Sequence, residues 1–170
     1  QILLVNCTNI TVQNQEIFNT TVGIQIWGSN TCVISGNTIA GNHYGICLYG
    51  WNNTINDNTI TNNYYDGIRL FGDNNTISAN AITNNNDDGI YLSYSDHNNI
   101  INNIITNNYY GILLGYGSDF DNIINNTITN NNHVAIGLSG NSNTIISGNT
   151  IANNKAGITL GFGYYNNIIN

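Results

Sequence analysis

Residues 52–70 read NNTINDNTITNNYYDGIRL, and residues 74–92 read NNTISANAITNNNDDGIYL. The second stretch restates the first after 22 residues, glycine for glycine and nearly asparagine for asparagine. A fixed period of this length marks a solenoid, in which one supersecondary unit is copied and stacked. The Gly-Ile-x-Leu ending supplies a ruler. It recurs at Gly23, Gly45, Gly67, Gly89 and Gly111, then with Ala135 in the glycine slot, then at Gly157, in steps of 22, 22, 22, 22, 24 and 22. Counting back 22 from Gly23 reaches Gln1, and Gln1-Ile2-Leu3-Leu4 fits the same frame.

Two more apolar columns run through the units. One is read as Val33, Ile55, Ile77, Ile100, Ile123, Ile145 and Ile168, the other as Ile39, Ile60, Ile82, Ile104, Ile128 and Ile151. Each unit therefore carries three short β-branched segments between clusters of Asn, Gly, Asp and Ser, which are strand and turn signals. The apolar residues of Gly-Ile-x-Leu are two apart and point to one face of a strand. No segment shows the 3.6-residue period of an amphipathic helix. Such a unit cannot bury its apolar side alone, whereas stacked copies bury a continuous column. The expected fold is all-β: a single domain over residues 1–170, a single-stranded right-handed parallel β-helix (β-solenoid) with three short strands per 22-residue coil. About seven and a half coils at ~4.8 Å spacing make a rod of roughly 36 Å.

That fold explains the 39 asparagines. Two residues before the third-strand isoleucine the reading places Asn37, Asn58, Asn80, Asn102, Asn126 and Asn149; three residues after it, Asn42, Asn63, Asn85, Asn107, Asn131 and Asn154. Stacked amides can each donate and accept from coil to coil, and asparagine tolerates the left-handed backbone of sharp corners. These columns are expected to be structural ladders.

The repeated N-x-I-x-x-N-x-x-x-G-I-x-L pattern resembles the right-handed parallel β-helix repeats of the NosD-like and carbohydrate-binding/sugar-hydrolase (CASH) group, over almost the whole chain. In its Asn-rich, charge-poor character it is most similar to surface-layer and sheath proteins of methanogenic archaea. The resemblance implies the fold. Its members include pectin and alginate enzymes, copper-loading accessory proteins and surface proteins.

The chain has no Met and opens at Gln1, which suggests a removed leader or a fragment. No apolar run approaches a membrane span. Six N-x-S/T sequons, at Asn6, Asn9, Asn19, Asn52, Asn74 and Asn125, are candidate glycan sites and fit export to the cell surface or envelope. Arg69 and Lys155 are the only basic residues beside nine acidic ones, a net charge of −7. Nucleic-acid binding needs a basic stripe, and none exists. Charged residues make up 6% of the chain, against about a quarter in ordinary soluble domains, so the surface resists self-association poorly. Neither end carries an evident cap, which suggests head-to-tail stacking of copies. Of three cysteines, an odd number, one is expected to pair between chains. Cys47, the outward residue of its strand, is best placed for that, and Cys7 with Cys32 could form an internal bridge.

For catalysis the candidates are Asp66, Asp87 and Asp88 with Arg69 nearby, Asp66 and Asp88 occupying equivalent slots about one coil apart. The Asp-Pro-His-Glu and Gly-His-Gly motifs of the enzymes in the resembling group are missing, so the expectation is no enzyme, no cofactor and no metal. His43 and His133 share a turn slot four coils apart and cannot share an ion; His97 is a third turn histidine. Trp27, Tyr49 and Phe71 follow the Gly-Ile-x-Leu strand in successive coils and should stack. Arg69, between Cys47 and Tyr91 in the outward column, could lie over the tyrosine ring. The sequence thus points first to a structural subunit of an extracellular layer or sheath that assembles with itself through its ends and through disulfides. A glycan-binding β-helix module of a larger surface protein is the alternative, with cell-surface glycans as partners, and a degenerate carbohydrate-active enzyme is the third reading.

Overall fold

The computed structural model describes residues 1–169 as 23 β-strands and, among those residues, no helix. The first coil shows the plan. Strand β1 (Ile2–Val5) is followed by β2 (Thr11–Gln13), β3 (Glu16–Phe18) and then β4 (Val22–Asn30), which lies directly beside β1. Every third strand joins the same sheet, in parallel and in sequence order, giving sheets of eight, eight and seven strands. Residues 1–169 therefore wind through eight turns, the last described as far as its second strand, close to the seven and a half coils read from the repeat.

Four columns of side chains fill the interior. In the first sheet Ile24, Ile46, Ile68, Ile90, Ile112 and Ile136 stand in register, and two residues on a second column runs through Ile26, Leu48, Leu70, Leu92 and Leu114. All are fully buried, each worth about 2 kcal/mol of transfer free energy. The second sheet contributes Ile34, Ile55, Ile77, Ile100, Ile123 and Ile146, so the inward residues are Ile34 and Ile146 where the sequence reading chose their neighbours Val33 and Ile145. The third sheet contributes Ile39, Ile60, Ile82, Ile105 and Ile128. Here Ile105 faces inward and the expected Ile104 is 53% exposed.

That one-residue slip has a definite cause. Five residues separate Leu92 from Asn98, against four between Leu70 and Asn75; two separate Asn108 from Gly111, against three between Asn85 and Gly89. An insertion at one corner and a deletion at another cancel, so the 22-residue count from Gly89 to Gly111 conceals the shift between them. The ladders shift with it. Asn103, not Asn102, follows Asn80, and Asn108, not Asn107, follows Asn85.

With that correction both ladders hold over their full length. The backbone N–H of Asn80 and its Nδ2 both donate to Asn103 Oδ1, each at 3.0 Å, and Nδ2 also reaches Ile55 O at 2.9 Å. The same contact links Asn37 to Asn58, Asn58 to Asn80, Asn103 to Asn126 and Asn126 to Asn149. The second ladder runs Asn42, Asn63, Asn85, Asn108, Asn131, Asn154. A third, not seen in the sequence, runs Asn53, Asn75, Asn98, Asp121 at the remaining corner. Asn102 and Asn107 belong to a different class. With φ of 58° and 57° they occupy the exposed left-handed position just before a ladder asparagine, where asparagine is among the few L residues at home. The six sequon residues Asn6, Asn9, Asn19, Asn52, Asn74 and Asn125 share that backbone geometry: all are exposed, all with φ between 50° and 58°, and the last three directly precede a ladder asparagine.

The signature glycine is steric. A Cβ on Gly67 would lie 2.7 Å from Gly89 O, 2.7 Å from Ile82 Cγ2 and 3.0 Å from Asn85 Nδ2. The chain enters the first sheet pressed against the ladder of the coil above.

Candidate functional site

The corner between the third and first sheets is not uniform. Two residues separate ladder asparagine from signature glycine at Asn42–Gly45 and Asn108–Gly111, but three do so at Asn63–Gly67 and Asn85–Gly89. Three residues also separate Asn131 from Ala135, where the corner holds no carboxylate; Asp66 and, one coil on, Asp87 and Asp88 lie in the first two of these widened corners.

Asp66 and Asp88 fill the slot just before the glycine, stacked by the backbone bond from Gly67 N to Asp88 O. The same slot holds Val22, Tyr44, Tyr110, Val134 and Ala156 in other coils. The fold therefore has no need of a carboxylate there. Asp66 is fully buried; its Oδ2 accepts from Arg69 Nε at 2.6 Å and its Oδ1 from the backbone N–H of Asp88 at 3.2 Å. Arg69 points outward from the first sheet with its side chain 30% exposed. Its guanidinium lies 4.8 Å from the Tyr44 ring centroid and 5.2 Å from that of Tyr91, within range of cation–π attraction to both. The expected contact with Tyr91 is present; the one with Tyr44 was not foreseen.

Asp88 is 5% exposed and its Oδ1 has no hydrogen-bond partner. Burial, reinforced by the charges of Asp66 and Asp87, pushes its carboxyl up to about 8. Burial also raises Asp66, with the Arg69 guanidinium pulling the other way. Asp87, half-buried, completes a cluster in which one oxygen from each of the three carboxyls lies within 4.8 Å of the others.

Aromatic rings flank this cluster on both sides. On the strand side Trp27 and Tyr49 have centroids 4.7 Å apart, Tyr49 and Phe71 stack at 4.8 Å, and Phe71 meets Tyr91 edge-on at 6.2 Å. The expected ladder of Trp27, Tyr49 and Phe71 is present and ends on the ring that covers Arg69. On the corner side Tyr44 stacks on Tyr65 at 4.8 Å, with His43 edge-on to Tyr65; two coils further on, His133 packs against Tyr109 and Tyr110. Tyr64 and Tyr65 are exposed. His43 and His97 are exposed turn residues and His133 is half-buried with Nδ1 unpaired.

No two of the three cysteines are bonded to each other within the chain. Cys47 does occupy the outward position, in register with Arg69, yet it is 5% exposed. Arg69 is drawn toward Asp66 and Tyr44 across the coil of Cys47, and burial pushes the thiol up to about 12, only partly opposed by that guanidinium. Cys47 is therefore covered rather than offered to a neighbouring chain. Cys32 is fully buried in the column of the third ladder, its N–H donating to Asn53 Oδ1 at 2.9 Å. Ile10, not Cys7, stands over that corner, through the bond from Val33 N to Ile10 O.

Fold and site together define a right-handed parallel β-helix with an acidic and aromatic strip along one edge of its first sheet. The chain belongs to the NosD family, described as periplasmic copper-binding protein (NosD), whose model matches residues 1–120 and 109–170. No curated protein sequence matches it. Among solved structures it is similar to the periplasmic alginate epimerase AlgG, with a TM-score of 0.79 at 19% identity over 98% of this chain and 46% of that one. The A-module of the Azotobacter vinelandii mannuronan C-5 epimerase AlgE4 gives a TM-score of 0.78 at 16% identity, covering 89% of this chain and 55% of that one. The enzymatically active domain of bacteriophage CBA120 tailspike protein 2 gives 0.64 at 13%, covering 87% and 31%. The chain thus spans about half the length of the epimerase structures, and at these identities the likeness is one of fold.

Proposed function

We propose that this β-helix is a carbohydrate-binding module of the cell envelope or exterior, and that it grips its glycan along the strip centred on Arg69. One observation carries the reading. Asp66 and Asp88 occupy a slot that other coils fill with valine, alanine or tyrosine, and Arg69 an outward one that other coils fill with glutamine, cysteine, tyrosine, leucine, glycine or threonine, so the charges there cost stability and serve something else. Carboxylates, a guanidinium and tyrosyl hydroxyls are suited to sugar hydroxyls, and the rings of Tyr64, Tyr65 and Trp27 offer exposed aromatic surface for pyranose faces. The names of the solved structures, epimerases of alginate and a phage tailspike, support a carbohydrate partner. The proposal is one of binding without turnover.

The copper in the family's description does not fit these residues. Copper sites favour thiolate, thioether and imidazole; this chain has no Met, and its cysteines and histidines do not gather. Among the described residues the one group of three side chains close enough to share an ion is all carboxylate.

Isothermal titration of the wild type against neutral and uronic-acid oligosaccharides tests the proposal. Binding should appear for at least one class and fall tenfold or more in Tyr65→Ala and Arg69→Gln, with circular dichroism unchanged. A folded wild type that binds none of them overturns it.

A further inference from the structure

We propose that Asp66, Asp87 and Asp88 form a binding site for a hard divalent cation of the calcium class. Four features of the corner lead there. One oxygen from each carboxyl lies within 4.8 Å of the others; calcium–oxygen distances of ~2.3–2.6 Å place ligands on one ion up to about 5 Å apart. The shorter bonds and strict octahedron of magnesium fit that spread less well. Second, Asp88 is 5% exposed and its Oδ1 has no hydrogen-bond partner. A buried acceptor left in this state is rare and calls for a ligand. Third, among the described residues the protein supplies no second cation to the cluster. The cation at the cluster is Arg69, and its ion pair is with Asp66 Oδ2 alone, leaving Asp87 and Asp88 without a counter-ion in contact. Fourth, the three-residue form of the corner, shared with Asn131–Ala135, sets Asp87 and Asp88 side by side directly before Gly89 and over Asp66.

The donor set is oxygen only, the preference of calcium and not of copper. Asp66 and Asp88 form the buried floor, and half-buried Asp87 leaves the solvent side to water ligands. With three carboxylates the affinity belongs in the ~10⁻⁴ M range of extracellular calcium modules. The site does not depend on the glycan reading, and its test contains no glycan.

The experiment uses protein stripped with EDTA and then titrated with terbium, whose emission Tyr44, Tyr65 and Tyr110 are placed to sensitise. Emission should rise and then be displaced by calcium but not by the same ionic strength of potassium chloride. At calcium a hundredfold above the dissociation constant, the folded-to-unfolded ratio should rise about 100-fold, read as an upward shift in Tm. The Asp87→Asn/Asp88→Asn variant should lose both effects. If that pair fails to fold, Asp87→Asn alone, at a half-buried position, should still weaken calcium binding at least tenfold. No calcium-displaceable emission and no Tm shift in the wild type would overturn the site, as would an undiminished response in a folded variant.

Discussion

Asp121 offers the sharpest test of how the coils are held together. It occupies an asparagine slot of the third ladder, where its Oδ1 accepts from the backbone N–H of Asn98 at 2.7 Å and from Asn98 Nδ2 at 3.2 Å. Its Oδ2 has no partner, and neither does Thr144 Oγ1 in the same column one coil on. Burial pushes the carboxyl from 3.8 up to about 8, against the pull of the Asn98 bonds. The folded chain therefore holds this proton to higher pH than the unfolded chain does. As pH climbs from about 4 to about 8 the unfolded chain releases the proton while the folded one keeps it, so stability falls through that window and levels off above it. Asp121→Asn restores the ladder residue, supplies an Nδ2 donor toward Thr144, and has no proton to lose. Its advantage over the wild type should grow by three pH units' worth between pH 5 and pH 8, about 4 kcal/mol at ~1.4 kcal/mol per unit. That is an upper figure, because water entering the corner softens the penalty. Urea unfolding of both proteins at pH 5, 7 and 9 measures it, and comparison with the wild type cancels other groups titrating in the same range. A variant whose gain is flat from pH 5 to 9, or which is less stable at pH 9, would refute the account of Asp121 as a protonated stand-in for asparagine.

Other outcomes follow from the same geometry. Asn103→Ala should cost about 2 kcal/mol or more in urea unfolding, since it removes the acceptor of the buried Asn80 backbone N–H and one partner each of Asn80 Nδ2, Asn126 Oδ1 and Ile77 O. Asn102→Gly, one residue away at an exposed φ of 58°, should lie within about 0.5 kcal/mol of the wild type. Gly67→Ala should prevent folding or lower Tm steeply, while Gly157→Ala, whose nearest atom would be Ile151 Cγ2 at 4.0 Å, should be tolerated. In native protein at pH 7 a thiol reagent should titrate half-buried Cys7 alone. Cys32 and Cys47 should react only after unfolding, since both are buried and Cys47, with its thiol near 12, is about one part in 10⁵ thiolate.

Much of this was legible in the sequence because the solenoid repeats its physics in every coil. Gly-Ile-x-Leu fixes the first sheet, since inward residues alternate and only a very small residue fits at the corner. The aromatic stack from Trp27 to Phe71 follows from equal spacing after that signature. Counting failed where two length changes cancelled: near Asn102 and Ile104 nothing in the residue types separates a ladder asparagine from the left-handed one before it. The third ladder was hidden by Cys32, Asp121 and Thr144, which interrupt the asparagine column without breaking the coil. Cys47 shows another limit. Strand alternation places a side chain outward but does not say what will lie over it, and here a guanidinium recruited from the next coil does. The acidic cluster was half visible: equivalent slots predicted that Asp66 and Asp88 would meet, but the partnerless oxygen of Asp88 could come only from coordinates.

The ladders also give the rod a direction. In every contact the Nδ2 of one coil donates to the Oδ1 of the next coil, so the side-chain amides of all three corners are oriented the same way. Their dipoles add along the axis, oxygen toward Ile2 and nitrogen toward Ile169, much as peptide dipoles add in a helix. Faces at right angles to the axis are consequently not alike. A coil laid against Asn149 and Asn154 must bring acceptors to meet their donors, whereas one laid against the first coil finds Ile10, Gln15 and Thr20 in the ladder columns. The rod behaves as a vector, and any partner that extends it has to respect that sense.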